Sequence, residues 1–242
     1  DGYHNLQTIF QLVDYCDEIN INYRSDGVID RISGNEHIPK NQDLIIRSAT
    51  LLKKITGSKG GADIAIVKKI PIGGGLGGGS SNAATVLIAL NKLWNLNLPK
   101  EELVDIGQNL GADVPVFING HSSWGEGIGE ILTPISLPKY FYLIVTIGKH
   151  ISTKEIFTHK ALTMSPVQRK IANFSMVSNP HNDCLDAAIH LEADIEKAIA
   201  HLDSTENHLG IARMTGSGCC VFVAFEKEKD ASIAINKLPS KW

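Results

Sequence analysis

Residues able to do chemistry are concentrated in one stretch, Pro71-Ile72-Gly73-Gly74-Gly75-Leu76-Gly77-Gly78-Gly79-Ser80-Ser81-Asn82. Glycine loses more backbone freedom on folding than any other residue, so six of them in seven positions are far more than a turn requires. The run predicts main chain that another group approaches closely. Directly after it, Ala83, Val86, Leu87, Leu90, Leu93 and Trp94 recur at helical spacing, which predicts a helix over 82–94 with Ser80, Ser81 or Asn82 as its N-cap. At such a junction the unpaired N–H groups of the first turn and the positive end of the helix dipole share one small volume, the chemistry of an anion site. Lys68 and Lys69 stand just ahead of the loop, where both can be solvated or one can turn back toward phosphate.

Asp113 stands alone among apolar residues in Gly111-Ala112-Asp113-Val114-Pro115-Val116-Phe117. A buried, unpaired carboxylate is costly, so Asp113 caps something, pairs with a cation or takes part in a reaction; a loop aspartate satisfied by backbone N–H groups is the plain structural alternative. Thr215-Gly216-Ser217-Gly218 is a second turn of small residues, leading into a strand over 219–225. Its hydroxyls and N–H groups also suit an anion or a close main-chain approach.

Other glycine-loop classes fit poorly. A Walker loop ends in Gly-Lys-Ser/Thr, and no lysine lies between Lys69 and Lys92. Gly73, Gly75 and Gly78 satisfy G-x-G-x-x-G, but composition alone produces that match. Residues 95–100 offer no carboxylate to a ribose, and Pro71 interrupts the strand ahead of the turn. A merely flexible linker is not followed at once by a capped apolar helix.

The elements that must position these groups follow from periodicity. Residues 6–13, 17–23 and 27–32 read as strands, 43–57 as a helix closed by Gly57, and 62–67 as a strand leading to the lysines. Pro99 at a first helical position, with Glu101 and Glu102 in the first turn, opens a helix that stops at Gly111. Residues 121–125 and 128–132 form a hairpin through Glu126-Gly127, and 140–147 is a continuous apolar strand. Ser152-Thr153-Lys154-Glu155 has the form of a helix start with Phe157 one turn in, 183–202 reads as one amphipathic helix, and 229–238 as a last helix. The pattern between 159 and 179 assigns no element. Strands first, then helices and strands without regular alternation, predict an α+β class.

The 242 residues, with 43% hydrophobic and 20% charged side chains, suffice for a substantial core in one large domain or two modest ones. A net charge of −3 argues against nucleic acid as a partner. No apolar run reaches membrane-spanning length, and 1–4 has neither the basic start nor the apolar run of a signal peptide. Cys16, Cys184, Cys219 and Cys220 include no C-x-x-C, and the neighbours Cys219 and Cys220 would point to opposite faces of a strand, so a reducing cytoplasm is expected. The nine histidines are scattered without metal-site spacing.

Taken in order, these stretches resemble the GHMP kinases, the family of galactokinase, homoserine kinase, mevalonate kinase and phosphomevalonate kinase. Pro71 to Ala83 is similar to the family's glycine-loop motif and Thr215 to Cys219 to its last motif. Within the family, Asp1-Gly2-Tyr3-His4 with Leu6-Gln7-Thr8, the long loop 73–84, 111–117 and Asn182-Asp183-Cys184 resemble the branch that acts on a cytidine-diphosphate sugar alcohol in the non-mevalonate isoprenoid route.

The resemblance implies a two-lobed fold, a ribosomal protein S5-like lobe over 1–133 and a ferredoxin-like lobe over 134–242, with both ligands in a cleft between them. It implies ATP and Mg2+ as cofactors. Lys68, Pro71, the loop Gly73, Gly74, Gly75, Leu76, Gly77, Gly78, Gly79, Ser80, Ser81 and Asn82, and the turn Thr215, Gly216 and Ser217 would hold the nucleotide, with Ser81 near the metal ion. Asp113 would orient or deprotonate the acceptor's C2 hydroxyl, Tyr3 would stack on cytosine, His4 would hydrogen-bond it, and Phe157 and Thr153 would complete that pocket. It further implies a Pro-x-Lys-x-Asn strand ahead of Asp1, whose lysine would pair with Asp113, and a strand after the last helix; neither lies within the 242 residues, and the turn signal Asp1-Gly2 predicts chain upstream. Asp43 departs from the branch, which usually shows Asn there. A monomer or weak homodimer is expected. Another GHMP activity, on mevalonate or homoserine, and a non-catalytic nucleotide-binding relic are the alternatives left open.

Overall fold

The structure, a computed structural model, describes residues 7–148, 151–162 and 181–242. The chain divides into two compact units, Asp1–Ile70 with Gly77–Leu137 and Pro71–Leu76 with Pro138–Trp242, so the glycine loop is shared: its first half belongs to the second unit and its second half to the first.

The first unit contains β1 (Thr8–Phe10), β2 (Glu18–Arg24), β3 (Ile29–Ser33), α1 (Leu44–Thr56), β4 (Gly61–Val67), α2 (Gly78–Leu93), α3 (Lys100–Gln108), α4 (Val114–Asn119), β5 (Ser123–Glu126) and β6 (Ile131–Pro134). Ile19 and Ile21 of β2 pair with Ile66 and Ile64 of the antiparallel β4, and all four turn to the core. On its other side β4 pairs with β3 in parallel, which needs a crossover, and α1 supplies it. Asp43 starts α1 by accepting the Ile45 N–H at 3.0 Å, and Gly57 ends it in the left-handed region at φ 68°. The hairpin expected around Gly127 is β5 against β6, and β1 joins β5 as the third strand of a second sheet.

The second unit contains β7 (Phe141–Thr146), α5 (Thr153–Phe157), α6 (Leu185–Leu191), α7 (Asp194–Asp203), β8 (His208–Met214), β9 (Cys220–Phe225) and α8 (Glu228–Ile235). β9 lies between β7 and β8, antiparallel to both. Leu143, Val145, Val221, Val223 and Phe225 join Ile195, Ala198 and Leu202 of α7 in one core. All four cysteines are free thiols.

Several boundaries depart from the periodicity reading. The helix expected over 82–94 begins earlier, at Gly78, because Gly77 rather than a serine or Asn82 is its N-cap and turns the chain at φ 68°. The apolar repeat marked only the buried stripe of Ala83, Val86, Leu87 and Leu90, each leucine of which contributes about 2 kcal/mol on burial. Pro99 is the N-cap of α3 rather than its first residue. Residues 114–119 form a short helix that the sequence reading lacked, with Pro115 tolerated in its first turn. The single helix expected over 183–202 is two, because Glu192 adopts an extended conformation (φ −146°, ψ 94°) between α6 and α7. Mixed helices and sheets match the expected α+β class. Among the described residues no helix is long and apolar enough to cross a membrane.

Candidate active site

The head of α2 presents N–H groups without intrahelical partners. Its first paired amide is that of Ser81, which donates to the Gly77 carbonyl at 2.9 Å, so the N–H groups of Gly78, Gly79 and Ser80 precede the first intrahelical acceptor. Glycine is needed here for space as well as for φ. A Cβ on Gly77 would stand 2.8 Å from the Phe117 ring, and one on Gly78 would stand 2.9 Å from the Lys68 ammonium. Lys68 therefore rests on the first residue of α2, and its positive charge adds to the positive end of the helix dipole.

An unforeseen residue holds that ammonium. The Asp17 carboxylate, one residue ahead of β2 and 1% exposed, accepts from Lys68 Nζ at 2.5 Å and from Asn82 Nδ2 at 3.0 Å, while its other oxygen accepts the N–H groups of Lys69 and Ile70 at 2.7 and 2.8 Å. Burial alone would raise its pKa, but the bonds from Lys68, Ile70, Lys69 and Asn82 outweigh it and hold the carboxyl below its ordinary value. Lys68 and Asn82, both expected at the nucleotide, thus share one buried acceptor. Lys69 turns the other way, to Glu18 at 2.5 Å on the surface.

Asp113 occupies the N-cap position of α4 at φ −85°, yet its side chain makes no capping hydrogen bond. Among the described residues no cation or donor meets its carboxylate, and desolvation pushes its pKa up. Of the roles open to this aspartate, capping and pairing are not realised within the described residues. The turn that carries it lies against the head of α2: a Cβ on Gly111 would be 3.9 Å from Ser80 Oγ. The Ser81 hydroxyl donates to the Gly78 carbonyl at 2.9 Å and keeps its lone pairs for another partner.

The second unit gathers the remaining small residues. Gly75, at φ 73°, lies so close to the second turn that a Cβ would stand 2.2 Å from the Thr215 carbonyl oxygen, and Thr215 Oγ1 donates to the Gly75 carbonyl at 2.9 Å. The Cys220 N–H donates to the Gly74 carbonyl at 3.1 Å, which continues the same seam. Ser217 Oγ lies 3.0 Å from Thr153 Oγ1 at the start of α5, whose Ser152 and Glu155 form the expected capping box. Phe157 follows Thr153 by four residues on that helix, and Asn182 Nδ2 donates to the Met214 and Gly216 carbonyls at 3.0 and 2.9 Å, fixing the turn. Pro71, Gly73, Gly74, Gly75, Leu76, Thr153, Phe157, Thr215, Gly216 and Ser217 are thus in the second unit, and Lys68, Gly77, Gly78, Gly79, Ser80, Ser81, Asn82 and Asp113 in the first. Tyr3 and His4 lie outside the described residues. Asp43, which differs from the expected Asn, is 3% exposed and forms a buried ion pair with Arg31 in addition to capping α1.

The comparisons with known proteins agree with one another. Residues 43–121 match the family model described as the GHMP kinases N terminal domain. A protein of Ruthia magnifica subsp. Calyptogena magnifica named 4-diphosphocytidyl-2-C-methyl-D-erythritol kinase is 59% identical over all 242 residues, which span 85% of its length. One of the same name from Cupriavidus metallidurans is 44% identical over 246 aligned positions, covering 100% of this chain and 83% of the relative. A crystal structure of 4-(cytidine 5'-diphospho)-2C-methyl-D-erythritol kinase superposes with a TM-score of 0.77 at 28% identity, over 97% of this chain and 86% of that one. With those matches running from end to end, this small-molecule kinase belongs to the GHMP kinases, in the family of the 4-diphosphocytidyl-2-C-methyl-D-erythritol kinases.

Proposed function

We propose that the protein transfers the γ-phosphoryl group of ATP to the C2 hydroxyl of 4-diphosphocytidyl-2-C-methyl-D-erythritol, a step toward isoprenoid precursors, in the cytoplasm. The observation that carries this reading is the half-buried Asp113, without a side-chain partner among the described residues, on a turn beside Ser80 at a helix head whose first amides precede the first intrahelical acceptor and which carries a lysine. A carboxylate whose pKa is raised by desolvation is a better base for a hydroxyl than an exposed one. Asp113 takes or orients the hydroxyl proton, the hydroxyl oxygen forms its bond to γ-phosphorus, and the bond from γ-phosphorus to the bridging oxygen breaks, with ADP as leaving group. The N–H groups of Gly78, Gly79 and Ser80 and the Lys68 ammonium would supply positive charge where phosphate charge is greatest, and the loop residues from Gly73 to Asn82, Pro71, Thr215, Gly216 and Ser217 are assigned to the nucleotide.

Among the described residues no cluster of three or more His, Cys, Asp or Glu could cage a metal ion. Mg2+ keeps several of its waters and is held mainly through substrate phosphates, and the Ser81 hydroxyl, whose lone pairs are uncommitted after it donates to the Gly78 carbonyl, would supply a protein oxygen. Bound there, the ion would neutralise charge on the phosphates. Tyr3, His4, Thr153 and Phe157 are assigned to the cytidine end of the acceptor, and the working state to a monomer or weak homodimer.

The test is ADP release with ATP and three acceptors: the cytidylated compound, its uncytidylated analogue, and mevalonate. Turnover on the cytidylated acceptor alone is expected. Preference for mevalonate would move the protein to another branch of the family, and binding of ATP without turnover on any acceptor would make it a relic.

A further inference from the structure

We propose that Asp17 is a positioning residue for the nucleotide site, setting Lys68 and both ends of the glycine loop through a single buried carboxylate. The inference rests on the reading that nucleotide phosphates bind at the head of α2.

The geometry distinguishes this from an ordinary ion pair. One oxygen of Asp17 takes the N–H groups of Lys69 and Ile70, where the chain enters the loop. The other takes the Lys68 ammonium and the carboxamide of Asn82, in the second turn of α2, where the chain has left it. Residues 71–81 between these anchors are mostly glycine and have little stiffness of their own. A carboxylate that grips both ends removes that freedom before a ligand arrives, so less ordering remains to be done on binding. Lys68 gains in a second way. An ammonium against the first residue of a helix is repelled by the dipole, and Asp17 offsets that repulsion. An ammonium has three N–H donors, and Asp17 occupies one of them, leaving two for an anion.

Because Asp17 acts through Lys68 and the loop, its removal must register in nucleotide binding and must be contingent on Lys68. Asp17→Asn, Lys68→Met and the double variant are compared by calorimetric titration with adenylyl imidodiphosphate and Mg2+, after thermal melting has verified folding. Each single change is expected to weaken binding by about tenfold, the scale of one lost charge-assisted hydrogen bond. The double variant is expected to lose clearly less than the product of the two single losses, because the part of the Asp17 effect that passes through Lys68 is already gone in Lys68→Met. In steady state, Asp17→Asn should raise KM for ATP and leave KM for the cytidylated acceptor unchanged. Additive losses of about a hundredfold in the double variant, or unchanged affinity in Asp17→Asn, overturn the proposal. If Asp17→Asn does not fold, Lys68→Met still decides: unchanged nucleotide affinity overturns the proposal. An unaltered protein that binds the analogue but phosphorylates no cytidylated acceptor refutes the proposed reaction while leaving Asp17 to be judged on binding alone.

Discussion

Replacing Asp113 with Asn should make the protein more stable and nearly inactive. The wild-type carboxylate is half-buried, has no partner among the described residues and does not cap α4, so ionising it in the folded protein costs free energy that no bond from the described residues returns. A carboxyl whose folded pKa is raised above its unfolded value favours folding fully only below the unfolded pKa, and that contribution is lost as pH rises through the folded one. Above the folded pKa the wild type therefore carries the penalty, on the order of 1 kcal/mol for a group that keeps part of its water. Asp113→Asn relieves it and should raise the melting temperature by about 2–4 °C in a chain of this size, an advantage that shrinks toward pH 4. Turnover should fall by about 10²–10⁴, the range for a lost general base, with ATP affinity unchanged. In the wild type the acid limb of kcat/KM should lie above 3.8, the ordinary aspartate value, because activity needs the ionised form and burial raises the pKa. Differential scanning calorimetry beside a coupled ADP assay measures both quantities. A variant that is less stable than wild type, or that keeps its turnover, would show that Asp113 is a structural residue and refute the reasoning.

Other consequences can be checked separately. Gly75→Ala places a Cβ 2.2 Å from the Thr215 carbonyl at a positive φ, and denaturant unfolding should show a loss of at least about 2 kcal/mol. Gly79→Ala, at a helical position whose nearest contact would be the flexible end of Leu44 at 3.2 Å, should change stability in urea denaturation by less than about 1 kcal/mol, since the gain in helix propensity offsets the small shift asked of Leu44. Arg31→Met strands the 3%-exposed Asp43 carboxylate and should cost about 3–5 kcal/mol in urea denaturation. Asp17 has a depressed folded pKa, so its stabilisation is present above the unfolded value of 3.8 and lost as pH falls through the folded one. The gap in urea midpoint between wild type and Asp17→Asn should accordingly close under strong acid, and a gap independent of pH would contradict that assignment.

What could be read from the sequence was local. The glycine run, the stripe of α2, the Ser152 capping box and the lone Asp113 each announce themselves within a dozen residues, and their order is what resembles the family. Asp17 could not be found that way: its partners lie 51 to 65 positions ahead, and next to Glu18 it looked like the polar start of a strand. The true cap of α2 was hidden because any glycine of the loop could have made the left-handed turn that Gly77 makes. Val114 to Asn119 carries an apolar run with a proline, which suggests an irregular segment until the unpaired first turn of a helix is recognised as a place where proline is tolerated. Between α6 and α7 no Gly or Pro marks the break at Glu192.

The most direct measurement of the central claim is a crystal structure with adenylyl imidodiphosphate, Mg2+ and the cytidylated acceptor bound. The account predicts β- and γ-phosphate oxygens on the N–H groups at the head of α2, with Asp113 within hydrogen-bonding distance of the C2 hydroxyl. Phosphates seated elsewhere, or a C2 hydroxyl out of reach of that carboxylate, would contradict it.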